Sequence, residues 1–220
     1  MTFIAKLLPA GVVSAEHIGS HFGTLLPEEL AVLGRGAVQK RREEFAAGRT
    51  LARNALKSFG IPESPILCGP SREPLWPDGF IGSITHCEGY CAAVIGENAS
   101  ILSIGIDAEQ NEPLPKDVLN IIAVEAERRW LDVAPRSLVN WDKLIFSIKE
   151  SVFKTWYPVN RTWLGFEDAC VQVYPERKEF EVTLLPKCSL GRPSVLSSLR
   201  GRYLVQGELL LTAIVVLQSI

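Results

Sequence analysis

Two long stretches with helical periodicity, about residues 37–59 and 138–157, are each followed by short β-like runs, and this repeated order is the strongest constraint on the fold. In the first stretch Val38, Phe45, Ala52, Leu56 and Phe59 form an apolar stripe, closed off by Gly60 and Pro62. In the second, Trp141, Leu144, Ile145, Ile148, Val152 and Thr155 do the same. Strands are expected at Thr2 to Leu8, Phe80 to Thr85, Tyr90 to Ile95, Ile101 to Ala108, Phe166 to Val173, Phe180 to Leu185, Tyr203 to Gln206 and Leu209 to Leu217. The three central runs, separated by Glu88-Gly89 and Glu97-Asn98, read as a meander. A short helix opens at Pro27 and ends before Gly34, and Lys116 to Leu131 reads as a further helix. The expected fold is α+β with two halves, 1–110 and 111–220, meeting near Gln110 to Pro115, although no sequence repeat relates them.

A chain of 220 residues with 47% hydrophobic content can bury a substantial core. Its net charge of −2 gives no field for nucleic acid or an anionic membrane, so any positive site must be local. The five cysteines form no CxxC pair, the N-terminus lacks a secretion-signal pattern, and no apolar run is long enough to span a membrane. A reduced, cytoplasmic setting is the expectation. Cys87 and Cys91 read as small buried residues, and His17 and His21 as surface residues, not an HExxH motif. From Ile61 to Gly79 the prolines 62, 65, 70, 74 and 77 rule out a regular element, and a loop of that length commonly binds a ligand.

Several constellations could carry chemistry. Arg42, Arg49, Arg53 and Lys57 form a narrow basic stripe about 80° from the apolar one. It reads either as a solvated edge or as a phosphate site at the mouth of a cleft. In SILSIGIDAE, strand alternation sets Asp107 and Glu109 on one face, about 7 Å apart. Two carboxylates so placed fit either a solvated strand end or a hard divalent cation shared with substrate phosphates. His86 ends an apolar strand just before a glycine turn, as a structural or a ligand-binding histidine. In FSIKESVFKTW, Glu150 and Lys154 lie opposite the apolar stripe, yet Phe146 and Phe153 fall on the same side. Something must cover that face, so Glu150 and Lys154 are expected to line a partly closed site.

Taken together, WPDGFIGSITHCEGYCAA, IGIDAE and WDKLIFSIKESVFKTWYP resemble the three motif regions of the 4′-phosphopantetheinyl transferases, in the larger surfactin- and enterobactin-type class. AAGRTLARNAL is similar to that family's coenzyme A helix, and the match spans about residues 41–158. The resemblance implies two similar α+β halves related by a pseudo-twofold, each a small antiparallel sheet packed on a long helix. It also implies transfer of the phosphopantetheine arm of coenzyme A to a serine of an apo carrier protein, releasing adenosine 3′,5′-bisphosphate. The carrier would be an acyl, peptidyl or aryl carrier, free or a domain of a nonribosomal peptide, polyketide or fatty-acid synthase. The pathway, siderophore or other secondary metabolism among them, stays open.

Carried over residue by residue, the resemblance assigns Mg²⁺, with Mn²⁺ as an alternative, to Asp107, Glu109 and Glu150. Glu150 would also take the serine proton, and Lys154 would bind phosphate. Thr85, His86, Arg49 and Arg53 would hold coenzyme A. Where many relatives carry a lysine this chain has Glu73, so the neighbouring Arg72 is the candidate cation. Leu114 and Val118 in the 113–119 loop are candidates for carrier docking, with the protein acting as a monomer. A metal-dependent phosphohydrolase with the same acidic cluster, and a coenzyme A-binding module without catalysis, are the competing readings.

Overall fold

The computed structural model describes residues 2–20, 23–34, 36–185 and 196–218; His21 and Cys188 lie outside them. In chain order the elements are β1 (Val13–Ile18), α1 (Pro27–Val32), α2 (Gln39–Lys57), β2 (Phe80–Cys87), β3 (Tyr90–Glu97) and β4 (Ile101–Gln110). They continue with α3 (Lys116–Ile122), α4 (Glu125–Val133), α5 (Trp141–Asn160), β5 (Ala169–Tyr174), β6 (Glu179–Leu184), β7 (Ser198–Gln206) and β8 (Leu209–Leu217). The fold is α+β with two antiparallel sheets, ordered β1-β3-β2 and β4-β8-β7-β6-β5.

In the first sheet β3 is central and buried along nearly its whole length. One face, through Cys91, Ala93 and Ile95, packs on Ala47, Leu51, Ala52, Ala55 and Leu56 of α2. The other, through Tyr90, Ala92 and Val94, meets Ile104 and Ile106 of β4 and Leu211 of β8, so one apolar layer joins the two sheets. In the second sheet α5 covers β5 to β8 with Leu144, Ile148, Val152 and Trp156. The three-run meander is therefore only a hairpin: β2 and β3 pair around Gly89, which takes φ +69°, while β4 leaves to pair with β8. The sheets part at the Asn98–Ser100 turn, some ten residues before the boundary expected at 110 and 111. Between them β2 and β4 are joined by hydroxyls: Ile106 N–H donates to Ser83 Oγ at 3.1 Å, and Ala108 N–H to Thr85 Oγ1 at 2.9 Å.

Three sequence expectations are corrected. Thr2 to Leu8 is not a strand but contains a 3-10 turn, Ile4–Leu7, whose three-residue spacing sends Ile4 and Leu7 into the inter-sheet layer. The amides of Phe3 and Ile4 donate to the Glu16 carboxylate of β1, which takes the place of a strand partner. Lys116 to Leu131 is not one helix: it breaks at Ala123 and Val124, where the Ile122 carbonyl accepts from Lys149 Nζ and Glu127 caps the Val124 amide. Residues 166–168 form a 3-10 turn, and β5 begins only at Ala169.

One side-chain arrangement occurs twice in the fold. Glu29 of α1, fully buried, accepts from Leu26 N–H at its own helix start, from Ile66 N–H, and from Arg53 of α2. Glu127 of α4, equally buried, accepts from Val124 N–H, from Val171 N–H, and from Lys149 of α5 at 2.8 Å. In each half one carboxylate thus ties a short helix to the long helix and to the chain beyond it. Such a carboxylate is tolerated only while its partners remain. Lys149→Met leaves Glu127 buried without a counter-charge and is expected to cost about 3–5 kcal/mol in urea unfolding; a loss below about 1 kcal/mol would contradict that role.

Candidate functional site

Strand alternation on β4 turns Gly105, Asp107 and Glu109 toward α5. Gly105 is where helix and strand touch: a Cβ there would stand 2.1 Å from the Ser151 carbonyl and 2.3 Å from Thr155 Oγ1. The helix presents Ser147, Ser151 and Thr155, all fully buried, so contact is made by small polar side chains. Asp107, 5% exposed, sits at this contact and accepts three hydrogen bonds. Ser147 Oγ donates to Oδ2 at 2.8 Å, Lys154 Nζ to Oδ1 at 2.7 Å, and Thr85 Oγ1 to Oδ1 at 3.3 Å. Ser147 and Ser151 are linked in turn to Thr212 of β8, at 3.0 and 2.6 Å. Asp107 therefore joins both sheets and α5, with its carboxylate fixed before any ligand arrives.

Glu109 and Glu150 flank it. Glu109 accepts from Lys143 Nζ at 3.4 Å, while Glu150, half-buried, makes no hydrogen bond or ion pair among the described residues. Burial first, and then the charge of Asp107, raise both glutamates above the usual carboxylate range; Lys143 and Lys154 pull Glu109 back, and Lys154 pulls Glu150 back. Lys154 bonds Asp107 and the Ile106 carbonyl, not Glu150, so the i, i+4 pair on α5 is no mutual salt bridge.

Among the described residues no three acidic, histidine or cysteine side chains stand close enough to cage a metal alone. The donors nonetheless suit Mg²⁺, which is held by one or two carboxylates together with substrate phosphates. They are hard oxygens, and burial first, with the charge of Asp107 second, raises the pKa of Glu109 and Glu150, an effect that a bound cation would oppose.

A cavity of about 530 Å³ opens between the halves, lined by Arg41, Arg49, Arg72 and His86 from the first and Glu150 and Lys154 from the second. Burial lowers the His86 pKa below the ordinary histidine range against the pull of Glu44, 3.9 Å away, so the imidazole is neutral at pH 7. A second, apolar cavity of about 360 Å³, walled by Phe153, Trp163, Leu164 and Phe166, shares Glu150 and Phe153 with the first. Glu150 thus stands on the wall between them.

The basic stripe does not converge on the cavity. Arg49 lines it while donating from Nε to the Ile66 carbonyl at 2.7 Å and lying over the Phe45 ring at 4.2 Å. Arg53 is 2% exposed and committed to Glu29, Glu63 and the Thr24 carbonyl, so the geometry does not support it as a ligand contact. Arg42 turns back to the Ala37 carbonyl and Lys57 to Glu63. Thr85 lies at the inter-sheet seam, outside the cavity lining, and acts on Asp107. Phe146 and Phe153 meet the rings of Phe166 and Trp163, at 6.0 and 5.0 Å between ring centroids. Leu114 and Val118 are half-buried; the exposed apolar residues nearby are Ile121, Val133 and Leu138. Burial pushes the thiols of Cys87 and Cys91 up to about 12, which keeps them protonated and unreactive.

Sequence reasoning missed Arg41, Ser147 and Thr212. Ser147 and Thr212 were hidden because small hydroxyl residues in apolar runs read as core filler; only their pairing across α5, β4 and β8 shows their connection to Asp107.

The family model for the 4′-phosphopantetheinyl transferase N-terminal domain matches residues 27–96, and that for the 4′-phosphopantetheinyl transferase superfamily matches 103–197. The chain is 41% identical to the 4′-phosphopantetheinyl transferase PptT of Mycobacterium tuberculosis (strain ATCC 25618 / H37Rv), over 97% of this chain and 98% of that protein. It is 42% identical to the 4′-phosphopantetheinyl transferase Svp of Streptomyces mobaraensis, over 97% and 89%. Enterobactin synthase component D of Escherichia coli (strain K12) is 34% identical over 54% of this chain and 56% of that protein.

The raised pKa of Glu150 fixes the sign of a pH effect. Between the usual carboxylate pKa and the raised one, the folded chain holds a proton that the unfolded chain has lost, so stability falls as pH rises through that window. In metal-free buffer with a chelator, Glu150→Gln should melt at the same temperature as the wild type below the window and higher above it. A variant that melts at or below the wild type at pH 8 would contradict the placement of Glu150.

Proposed function

The chain belongs to the 4′-phosphopantetheinyl transferases, and on that premise we propose that its inter-half cleft holds coenzyme A, with Glu150 at the reacting end. It is an enzyme that transfers the 4′-phosphopantetheine arm of coenzyme A to a serine of an apo carrier protein. The observation that carries the assignment of the site is Glu150 itself: a half-buried carboxylate without a hydrogen-bond partner among the described residues, beside Asp107, on the wall shared by a cation-lined cavity and an apolar one. The first cavity suits the nucleotide end, with Arg41, Arg49, Arg72 and His86 toward phosphates, and the second suits the less polar arm.

In this reading the serine oxygen bonds to the phosphorus that carries the pantetheine, the pyrophosphate P–O bond breaks, and adenosine 3′,5′-bisphosphate leaves. Glu150, on the wall shared by the two cavities, takes the serine proton. Lys154 lines the cavity and offsets charge on the phosphate oxygens. Asp107, Glu109 and Glu150 would hold Mg²⁺ or Mn²⁺, which when bound neutralises charge on the pyrophosphate. Ser147, Thr85 and Lys154 keep Asp107 oriented for that task. A monomer is proposed, its two halves dividing at the Asn98–Ser100 turn. Among the described residues no helix is long and apolar enough to cross a membrane, and the cytoplasm is the proposed setting.

Mass spectrometry of several apo carriers after incubation with coenzyme A and Mg²⁺ tests the reading, and a mass gain of one phosphopantetheine on a carrier is expected. Glu150→Gln or Asp107→Ala should lower the rate by about 10²–10⁴-fold while the fold persists. Near-normal transfer by either variant would remove the assignment, and cleavage of coenzyme A without any carrier would favour a phosphohydrolase. Binding without turnover would favour a coenzyme A-binding module.

A further inference from the structure

Position 73 is where the resemblance leads one to expect a cation, and the structure gives its carboxylate another use. Glu73 is 11% exposed, its Oε1 accepting from Arg161 Nη1 at 2.7 Å and its Oε2 from Ser71 N–H at 2.9 Å. The turn it belongs to is closed by Gly69 N–H to the Glu73 carbonyl at 2.8 Å and Arg72 N–H to the Gly69 carbonyl at 3.0 Å. A side chain at Gly69 would collide with the Glu73 carboxylate, whose Oε1 lies 2.2 Å from where a Cβ would stand. Ser71 Oγ donates to Tyr157 Oη at 2.6 Å. A turn of the first half is therefore fastened at two points to the end of α5 in the second, across the mouth of the cavity that both line.

Two of the three non-glycine residues with positive φ among the described residues meet here: Arg72 at +66° and Arg161 at +54°. Side chains resist this region, and such conformations persist where surrounding contacts impose them. Arg161 is the residue that ends α5, its N–H bonded to the Tyr157 carbonyl at 2.9 Å, and its guanidinium lies 5.9 Å from the Tyr157 ring. Tyr157 stacks on Phe153 at 5.7 Å, and Phe153 borders both cavities. The Glu73–Arg161 pair is half in water, Arg161 being 58% exposed, so it adds little to stability. Its geometry matters more than its energy.

We propose that Glu73 and Arg161 form a latch between the halves that holds Arg72 over the cavity. They are a positioning pair that acts on the nucleotide end of the ligand through Arg72. The inference rests on the reading that the cavity takes coenzyme A. Without the latch the turn samples other conformations, and apparent affinity falls by the fraction of time Arg72 is out of place.

Calorimetric titration of coenzyme A into the carrier-free protein, alongside steady-state transfer kinetics, tests this for Glu73→Gln, Arg161→Met, Arg161→Lys and the Glu73→Gln/Arg161→Met double variant. Each of the first two should raise the Kd and KM for coenzyme A by about tenfold. The turnover number and melting temperature should stay close to wild type, Arg161→Lys should recover part of the affinity, and the double variant should be no worse than either single one. Unchanged coenzyme A affinity in Glu73→Gln, or single effects that multiply in the double variant, would overturn the latch while leaving the cavity assignment intact. A wild-type protein that fails to bind coenzyme A would overturn the cavity assignment and the latch with it.

Discussion

The close contact between α5 and β4 is the constraint on which the site depends. Because Gly105 carries no side chain and α5 answers with Ser147, Ser151 and Thr155, helix and strand approach until backbone and hydroxyl groups are in contact. At that spacing Asp107 can accept from Ser147 and Lys154 of the helix and from Thr85 of the other sheet. One carboxylate is then fixed from two elements, α5 and β2, and Glu150 and Lys154 are carried to the cavity by the helix that fixes it. A bulkier strand residue at 105 would push α5 away and separate these groups.

The halves are built on a shared device, and their cleft follows from it. In each, a buried glutamate on a short helix caps its own helix start and engages a cation of the long helix, Arg53 in one and Lys149 in the other. This explains why Arg53 behaves differently from expectation. Arg53 belongs to the scaffold, and Lys149, adjacent to Glu150, anchors α5 to the Ile122 and Phe166 carbonyls. The 166 carbonyl sits in the segment that walls the apolar cavity, so the scaffold pair also supports the covering of Phe146 and Phe153.

Much of this was legible in the sequence because periodicity reports which face is buried. The long helices, the β2–β3 hairpin, the shared face of Asp107 and Glu109, and the need to cover the Glu150 face all follow from spacing. What was not legible depended on partners distant in sequence. β1 lacks a clear alternation and is a strand because β3 offers it an edge, and β4 crosses to β8, over 100 residues away. The common use of Glu29 and Glu127 is hidden because Arg and Lys serve the same electrostatic role with little local similarity. The use of Glu73 depends on Arg161, 88 residues further on.

The central claim is that Ser147 acts on the reaction through Asp107. Its most direct test is the single-turnover transfer rate of Ser147→Ala, Asp107→Asn and the double variant, read by mass spectrometry of the carrier. If the serine works by orienting the aspartate, its removal slows transfer in the wild type and adds nothing once Asp107 is replaced. Equal and multiplying losses in both backgrounds would show that Ser147 acts elsewhere and would contradict the account.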